Sequence, residues 1–266
     1  MLTHPLLPKL RDLKLSGMAL TLDTRSDQAV QGSLTPTEFL AILLDDELER
    51  RQHKRLKRSL ADSGIDETKT LAHFDFNAVP QLNRSLILEL ANCGFIASAD
   101  NILMCGPTGT GKTHLANALA FEALRRGQSV LLKPTHQLLA QLHTTRADGS
   151  FPRRFAKLCS VDLLVLDDFG LRPLSMQGAE DLYDIIRERY ERKAMIVTSN
   201  RSFQEWPEVF GDGLLASAAL DRLTHHCHTL TIQAKSYRQR SRRKEDINTV
   251  SQSSFGGSEQ DEKTNS

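Results

Sequence analysis

The chain carries the stretch ILMCGPTGTGKTHLA at residues 102–116, which runs from an apolar segment through a glycine-rich turn into a helical pattern. Its middle matches G-x-x-x-x-G-K-[ST] from Gly106 to Thr113 with every required residue. In such a turn, successive backbone N–H groups point at phosphates, and the following helix adds the positive end of its dipole. The stretch therefore predicts a P-loop that binds a nucleoside triphosphate.

Each residue type in this turn has a physical role. The three glycines let the backbone curl, the lysine supplies a positive charge to the β and γ phosphates, and the threonine hydroxyl is a ligand for Mg²⁺. The predicted cofactor-binding residues are Gly106, Pro107, Thr108, Gly109, Thr110, Gly111, Lys112 and Thr113. We expect ATP and Mg²⁺ as cofactors, with Lys112 also taking part in catalysis.

A second motif, VDLLVLDDFG at residues 161–170, is an apolar strand that ends in two acids. Asp167, at the tip of the strand, is placed to hold Mg²⁺ through water, so the predicted metal ligands are Thr113 and Asp167. Asp168 is the natural general base for the attacking water. Adjacent carboxylates after a buried strand can also cap a turn, but a P-loop about fifty residues upstream favours the catalytic interpretation.

A third motif, AMIVTSN at residues 194–200, is an apolar strand that ends in a polar tip. Asparagine is common in turns, so the residue type alone decides nothing. If this strand lies between the other two in the sheet, Asn200 reaches the γ-phosphate and can orient the water. The strand order is therefore a condition that the structure tests.

From residue 86 onward, short apolar runs alternate with amphipathic helices, which is typical of a parallel sheet covered on both faces. Strands are predicted at residues 102–105, 129–133, 163–166, 194–198 and 229–232. A helix is predicted at residues 179–190, with Leu182, Ile185, Ile186 and Tyr190 on one face. The predicted fold class is α/β.

Residues 1–70 read as a separate helical domain that begins with Leu6, Leu10 and Leu13 on one face. Thr35 and Glu38 form a capping box, with Pro36 at the first helical position, which predicts a helix from residue 36 to about residue 60. The phrase FDFNAVP at residues 74–80 reads as a connection into the second domain.

The second half of that helix is strongly basic, and its cations are candidate contacts for DNA phosphates. The predicted DNA-binding residues are Arg51, Lys54, Arg55 and Arg58. A basic stripe is also typical of a solvated helix face, and an ion pair between Glu47 and Arg51 at i, i+4 suits that simpler interpretation.

The composition excludes several classes of protein. The 266 residues include 34 basic and 33 acidic ones, so a net charge of +1 gives no overall field that attracts nucleic acid or membrane. The start lacks the pattern of a signal peptide, and no stretch approaches 18 apolar residues, so we expect a cytoplasmic protein without a membrane partner.

Four separated cysteines lack the CxxC spacing of metal or redox sites, so we expect reduced core residues. The run His225, His226, Cys227, His228 contains metal-ligating residue types. We read it as part of a strand, where adjacent side chains point to opposite faces and cannot all converge, so no metal site is expected there.

The segment ASAALDRLTHHCHTLTIQAKSYRQR follows the third motif. The order P-loop, acidic strand and polar strand tip resembles the AAA+ ATPases. LDRL ahead of a strand, followed by SYR, looks like the IstB/DnaC branch of that superfamily. With the leucine-rich start, the basic helix, FDF before a proline, GPTGTGKTHLA, LVLDDFG and TSN, the chain resembles IstB-like proteins, the helper ATPases of insertion-sequence transposition.

This resemblance implies an AAA+ ATPase that assembles as a homo-oligomer, binds DNA and serves a cognate transposase. It also implies that Asn200 matches the family's sensor 1, that Arg222 is an arginine finger acting on a neighbour's ATP, and that Arg238 matches sensor 2. The expected domains are a helical, basic domain at residues 1–70, an AAA+ domain at residues 71–241 and a disordered tail at residues 242–266.

Two other functions stay open. A DnaC-like helicase loader shares the core motifs, although the basic helix and the FDF linker favour the transposition helper. A metabolic P-loop kinase would need an acceptor pocket and no arginine in trans. A GTPase is not supported, because the N-K-x-D motif that reads guanine is absent from the sequence.

Overall fold

A computed structural model describes residues 5–233, and the chain divides into two compact units, Met1–Gly64 and Ile65–Ser266. The division falls slightly before the boundary expected after residue 70. The predicted tail at residues 242–266 lies outside the described residues.

The described part of the first unit, residues 5–64, contains three helices, α1 (Leu6–Asp12), α2 (Ser16–Gln31) and α3 (Pro36–Ser63). The predicted capping box is present, because the Thr35 hydroxyl accepts from the Glu38 N–H and the Glu38 carboxylate accepts from the Thr35 N–H. The helix ends at Ser63, and Gly64 follows in a left-handed conformation (φ 76°), which glycine adopts without steric cost because it has no Cβ. The helix predicted from residue 36 is confirmed and extends to Ser63.

A small apolar cluster of Met18, Leu22 and Leu43 holds these helices together. The expected face of α1 is only partly right. Leu10 packs against this cluster, but Leu6 is 44% exposed and Leu13 is 68% exposed. On a helix this short, periodicity alone does not fix which side meets the neighbouring helices.

The second unit is built on a five-stranded parallel sheet with the order β2-β3-β4-β1-β5. The strands are β1 (Asn101–Cys105), β2 (Val130–Pro134), β3 (Leu163–Phe169), β4 (Ala194–Ser199) and β5 (Cys227–Thr231). Every residue of β1 and β4 is buried, as expected for strands covered on both faces. The five predicted strands are therefore confirmed, with ends that shift by a few residues.

Helices and two 3₁₀ turns connect and cover the strands. They are Phe76–Ala78 (3₁₀), α4 (Arg84–Leu90), α5 (Gly94–Ala97), α6 (Lys112–Arg125), α7 (Thr135–Ala147), α8 (Phe151–Ser160), α9 (Met176–Arg189), Phe203–Glu205 (3₁₀), α10 (Trp206–Phe210) and α11 (Gly213–His225). In α9, Leu182, Ile185 and Ile186 are buried as predicted. One cluster of buried side chains joins β3 and β4 to helices α7 to α11.

The strand order places β4 between β3 and β1, because β4 pairs in parallel with both. This is the condition that the third motif required. The carboxyl ends of β1, β3 and β4 therefore meet at one edge of the sheet, where crevices in parallel α/β sheets usually bind ligands.

The four cysteines are unpaired, and Cys93 and Cys105 are buried. Burial raises the pKa of the Cys105 thiol to about 11, so this thiol stays protonated at neutral pH. Within residues 5–233, no helix has the length and the apolar character that crossing a membrane requires.

Candidate functional site

The P-loop leaves β1 at Gly106 and enters α6 at Lys112. Gly106 has φ 151°, and a Cβ there would lie 2.0 Å from the carbonyl oxygen of Ile232. Gly111 precedes α6 with φ 94°, and a Cβ on it would lie 3.0 Å from the Phe74 ring. The loop needs glycine at these two positions for both conformation and space.

Lys112 is 6% exposed, and its Nζ donates to the carbonyl oxygens of Gly106 (2.6 Å) and Pro107 (2.7 Å). Burial lowers the pKa of its ammonium, whereas the nearby carboxylates of Asp168 and Asp167 raise it. The ammonium thus already lies inside the loop, where phosphate oxygens can replace the two carbonyl acceptors.

Asp167 is buried at the end of β3, where its carboxylate accepts hydrogen bonds from two hydroxyls. One is that of Thr113, at 3.0 Å, and the other is that of Thr198 on β4. Carboxylate and hydroxyl oxygens are the ligands that Mg²⁺ prefers, so Thr113 and Asp167 fit that cation. The two predicted metal ligands lie together.

Asp168 follows in a left-handed conformation with φ 52°, which is uncommon for a residue other than glycine. Its N–H donates to the Thr198 hydroxyl at 3.0 Å. This hydrogen bond fixes the backbone turn, and the exposed Asp168 side chain lines the cavity beside the P-loop. The two adjacent acids therefore have different surroundings, since only Asp167 is buried.

A cavity of about 600 Å³ extends over the P-loop. It brings together predicted residues from three strand ends, namely Thr108, Gly109, Thr110, Gly111, Lys112, Thr113, Asp168 and Asn200. Gly106, Pro107 and Asp167 are not among the lining residues, but they accept the hydrogen bonds from Lys112 and Thr113 described above. The roles assigned to these residues remain predictions, but the geometry that those roles need is present.

The opposite wall of the cavity was missed by sequence reasoning. It consists of Lys69, His73, Phe74, Asp75, Ala78 and Val79, from the segment that read only as a connection. The Asn117 side chain on α6 holds this segment through hydrogen bonds with Asp66 and Lys69 backbone groups, and His114 Nε2 lies 2.8 Å from the Thr70 carbonyl oxygen. In the sequence, the FDF motif at residues 74–76 was the one feature that marked this segment.

Arg222 lies on α11 and is not among the residues that line this cavity. Its guanidinium lies 5.4 Å from the centre of the Tyr183 ring and 6.0 Å from that of Tyr190, and it donates to the Ala218 carbonyl oxygen at 2.9 Å. Two of the three tyrosines of the chain thus flank one arginine. Arg238 lies outside the described residues.

The four predicted DNA-binding cations are exposed on α3, but Arg51 differs from the others. Arg51 Nε donates to the Glu47 carboxylate at 2.6 Å. Glu47 is 4% exposed and also accepts from the Gly17 and Met18 N–H groups. Arg51 therefore balances a buried charge that ties α3 to α2, so its substitution would disturb this unit as well as any DNA contact.

Comparisons with known proteins agree with these motifs. The family model described as IstB-like ATP binding protein matches residues 8–245. An ATP-binding protein of insertion sequence IS21 from Pseudomonas aeruginosa is 35% identical over 92% of this chain and 93% of its own length. An insertion-sequence ATP-binding protein from Mycobacterium tuberculosis is 37% identical over 88% of this chain and 93% of its own.

Among solved structures, the replication initiator DnaA bound to AMPPCP and single-stranded DNA has a TM-score of 0.54 and 26% identity. The match covers 64% of this chain and 51% of that one. DnaI, with a TM-score of 0.51 and 23% identity over 61% of this chain and 90% of its own, shows the fold alone. The fold is a P-loop AAA+ sheet covered by helices. The chain belongs to the family of IstB-like ATP-binding proteins.

Proposed function

We propose that this ATP-binding protein hydrolyses ATP with Mg²⁺, and that hydrolysis regulates an oligomer that assembles on DNA and stimulates an insertion-sequence transposase. The observation that carries the catalytic part is the hydrogen-bonded arrangement at the strand ends. There, Asp167 accepts from the Thr113 hydroxyl, and the Asp168 N–H donates to Thr198.

The proposed role of each residue follows from its position in the site. Lys112 binds the β and γ phosphates, and Thr113 with Asp167 holds Mg²⁺, which neutralises charge on the phosphate oxygens. Asp168 accepts a proton from the attacking water, because its exposed side chain lines the cavity, whereas Asp167 is buried and accepts from the Thr113 and Thr198 hydroxyls. Asn200, also in the cavity, orients that water.

Arg222 acts on the ATP of a neighbouring subunit. The support is its position outside the cavity of its own chain, on a half-buried part of α11. An arginine supplied in trans makes assembly depend on nucleotide, since ATP at the interface favours the assembled state. Hydrolysis then releases the assembly.

DNA binding is assigned to the exposed cations of α3, and the support is their charge density without a recognisable base-reading module. We expect affinity that is largely independent of sequence and falls steeply with salt. The transposase partner is inferred from relatives named as insertion-sequence proteins.

The first test replaces Asp168 by Asn, which should retain ATP but lose hydrolysis because an amide does not accept the proton. Nucleotide affinity is measured by titration, and phosphate release is measured in a single turnover. The matched control is Asp184→Asn, a half-buried acid on α9 that pairs with Arg187. Normal turnover by Asp168→Asn would assign the base to another residue.

The second test concerns the partner. The protein is mixed with DNA and ATP, and either a cognate insertion-sequence transposase or the host's replicative helicase is added. Stimulated turnover or co-sedimentation with the transposase supports the proposal. Stimulation by the helicase alone would replace it with the loader function and leave the ATPase mechanism intact.

A further inference from the structure

Three metal-ligating side chains converge on the surface beyond the nucleotide cavity. The Glu191 carboxylate oxygen Oε1 lies 3.6 Å from His225 Nδ1 and 3.8 Å from His226 Nε2. The three ligand atoms all lie within 4.8 Å of one another. The sequence indicated that the four side chains of the run from His225 to His228 would not all converge, and only His225 and His226 belong to this cluster.

Two of the four side chains come together because they do not lie on the strand where the run was placed. His225 is the last residue of α11 and His226 is its C-cap, whereas β5 begins only at Cys227. The helix end brings the two imidazole rings to a centroid distance of 4.2 Å. Glu191 lies just beyond the end of α9 and has a left-handed backbone conformation (φ 56°). His228 lies on the strand, with Nε2 4.0 Å from an Asp100 oxygen instead.

We propose that Glu191, His225 and His226 form a binding site for a divalent transition metal, with Zn²⁺ as the cation that it suits best. Two imidazoles and one carboxylate are a common ligand set for Zn²⁺, which takes bonds of about 2.0 Å in a tetrahedral arrangement. Its ligand atoms then lie about 3.3 Å apart. To reach this spacing, the ligand atoms of these exposed side chains must approach one another by a few tenths of an ångström in the closest pair and by at most about 1.5 Å in any pair.

Zn²⁺ and Mg²⁺ would occupy different places in this protein. Mg²⁺ prefers oxygen ligands, which the strand ends of the nucleotide site provide through Thr113 and Asp167. Imidazole nitrogen favours Zn²⁺, so millimolar Mg²⁺ should not displace it from the histidine site. Three protein ligands leave a fourth position for water.

The site is also linked to Arg222. The Tyr190 hydroxyl lies 2.9 Å from His225 Nδ1, and the Tyr190 ring is one of the two that flank the Arg222 guanidinium. A metal ligated by Nδ1 occupies the nitrogen that otherwise lies in hydrogen-bond contact with the tyrosine hydroxyl, so occupancy changes what holds Tyr190. Any effect on ATP turnover rests on the proposed role of Arg222, whereas metal binding itself does not.

The test is a calorimetric titration of the full-length chain, free of a polyhistidine tag and treated with chelator, with Zn²⁺ in the presence of excess Mg²⁺. We expect one Zn²⁺ per chain. Each of Glu191→Gln, His225→Ala and His226→Ala should weaken binding by more than the roughly 10- to 100-fold that loss of an outer-shell partner costs. Circular dichroism confirms that each variant is folded.

Two matched controls use the neighbouring residues of the same run. His228→Ala and Cys227→Ser should bind Zn²⁺ like the parent chain, because neither side chain belongs to the cluster. Absence of stoichiometric binding, or equal affinity in His226→Ala and the parent, would overturn the proposal. Loss of binding in Cys227→Ser would also overturn it, by showing a thiolate site. None of these results depends on ATP hydrolysis.

Discussion

Lys112 and Arg222 are both predicted to act on phosphate, but the structure places them in different surroundings. Lys112 is buried in the P-loop, where two backbone carbonyls of its own loop hold it. Arg222 is half-buried on α11, between two tyrosine rings and away from the cavity. Lys112 is therefore placed to contact a nucleotide in the cavity of its own chain, whereas the role predicted for Arg222 requires phosphate from another molecule.

Arg222→Ala gives the sharpest test of this comparison. We expect ATP affinity to stay nearly unchanged and the turnover rate to fall by about 10³ to 10⁵, the range of arginines supplied in trans. Affinity and steady-state turnover are measured on the same preparation. Mixing this variant with Lys112→Ala should restore part of the activity, since each subunit supplies what the other lacks. No recovery from a mixture that assembles would argue against a shared site.

Lys112→Ala should show the opposite pattern, with the loss in nucleotide affinity. Two hydrogen bonds to a charged group, at about 1.5 to 3 kcal/mol each, correspond to a loss of about 10² to 10⁴ in affinity. Titration with a fluorescent ATP analogue measures it. Lys157→Ala on the exposed surface of α8 is the control and should bind normally. Near-parent affinity in Lys112→Ala would remove the basis of the comparison.

The cations of α3 extend the comparison to an exposed helix surface. Lys54→Glu with Arg58→Glu should weaken binding to all DNA sequences alike and reduce the salt slope by about 1.8, at roughly 0.9 per phosphate contact. Binding is measured by fluorescence anisotropy over a salt series. Arg51 is left intact because it pairs with the buried Glu47.

Lys9→Glu with Arg11→Glu makes the same charge change on α1 and is the control for the α3 variant. If both pairs reduce affinity equally, net charge rather than α3 is responsible. Unchanged affinity in the α3 variant would move the DNA site to the AAA+ unit.

The smallest expected effect tests how Arg222 is positioned. Tyr190→Leu removes one of the two rings beside the guanidinium, and a cation–π contact at an exposed site contributes about 0.5 to 1 kcal/mol. Turnover should fall about 2- to 5-fold with KM unchanged. Tyr190→Phe keeps the ring and should keep the rate. An equal loss in both variants would indicate that the hydroxyl contact with His225 matters instead.

Local sequence patterns predicted the motifs that lie in adjacent residues. The P-loop, the acidic end of β3 and the polar end of β4 each lie within one short segment, so pattern and spacing predict them. The role predicted for Asn200 required its strand to lie between the other two. The structure meets this condition, because β4 lies between β3 and β1.

Local sequence patterns did not predict contacts between side chains that lie far apart in the chain. The wall formed by His73, Phe74 and Val79 is part of the cavity because Asn117, on α6, holds the segment before it. The i, i+4 spacing predicted the ion pair between Arg51 and Glu47, but not that Glu47 is buried, because this burial depends on packing against α2. The FDF motif marks the segment that forms the wall, but neither the cavity position of that segment nor the burial of Glu47 follows from local spacing.

The sequence by itself determined the α/β class, the five strands and the P-loop motif, because glycine conformation, strand burial and helix capping are local properties. Only the tertiary structure decided which surfaces these elements share. It placed Arg222 outside its own cavity, and it brought Glu191 to the two histidines at the end of α11. Contacts between residues far apart in the chain arise from packing of whole elements, so their geometry exists only once the chain has folded.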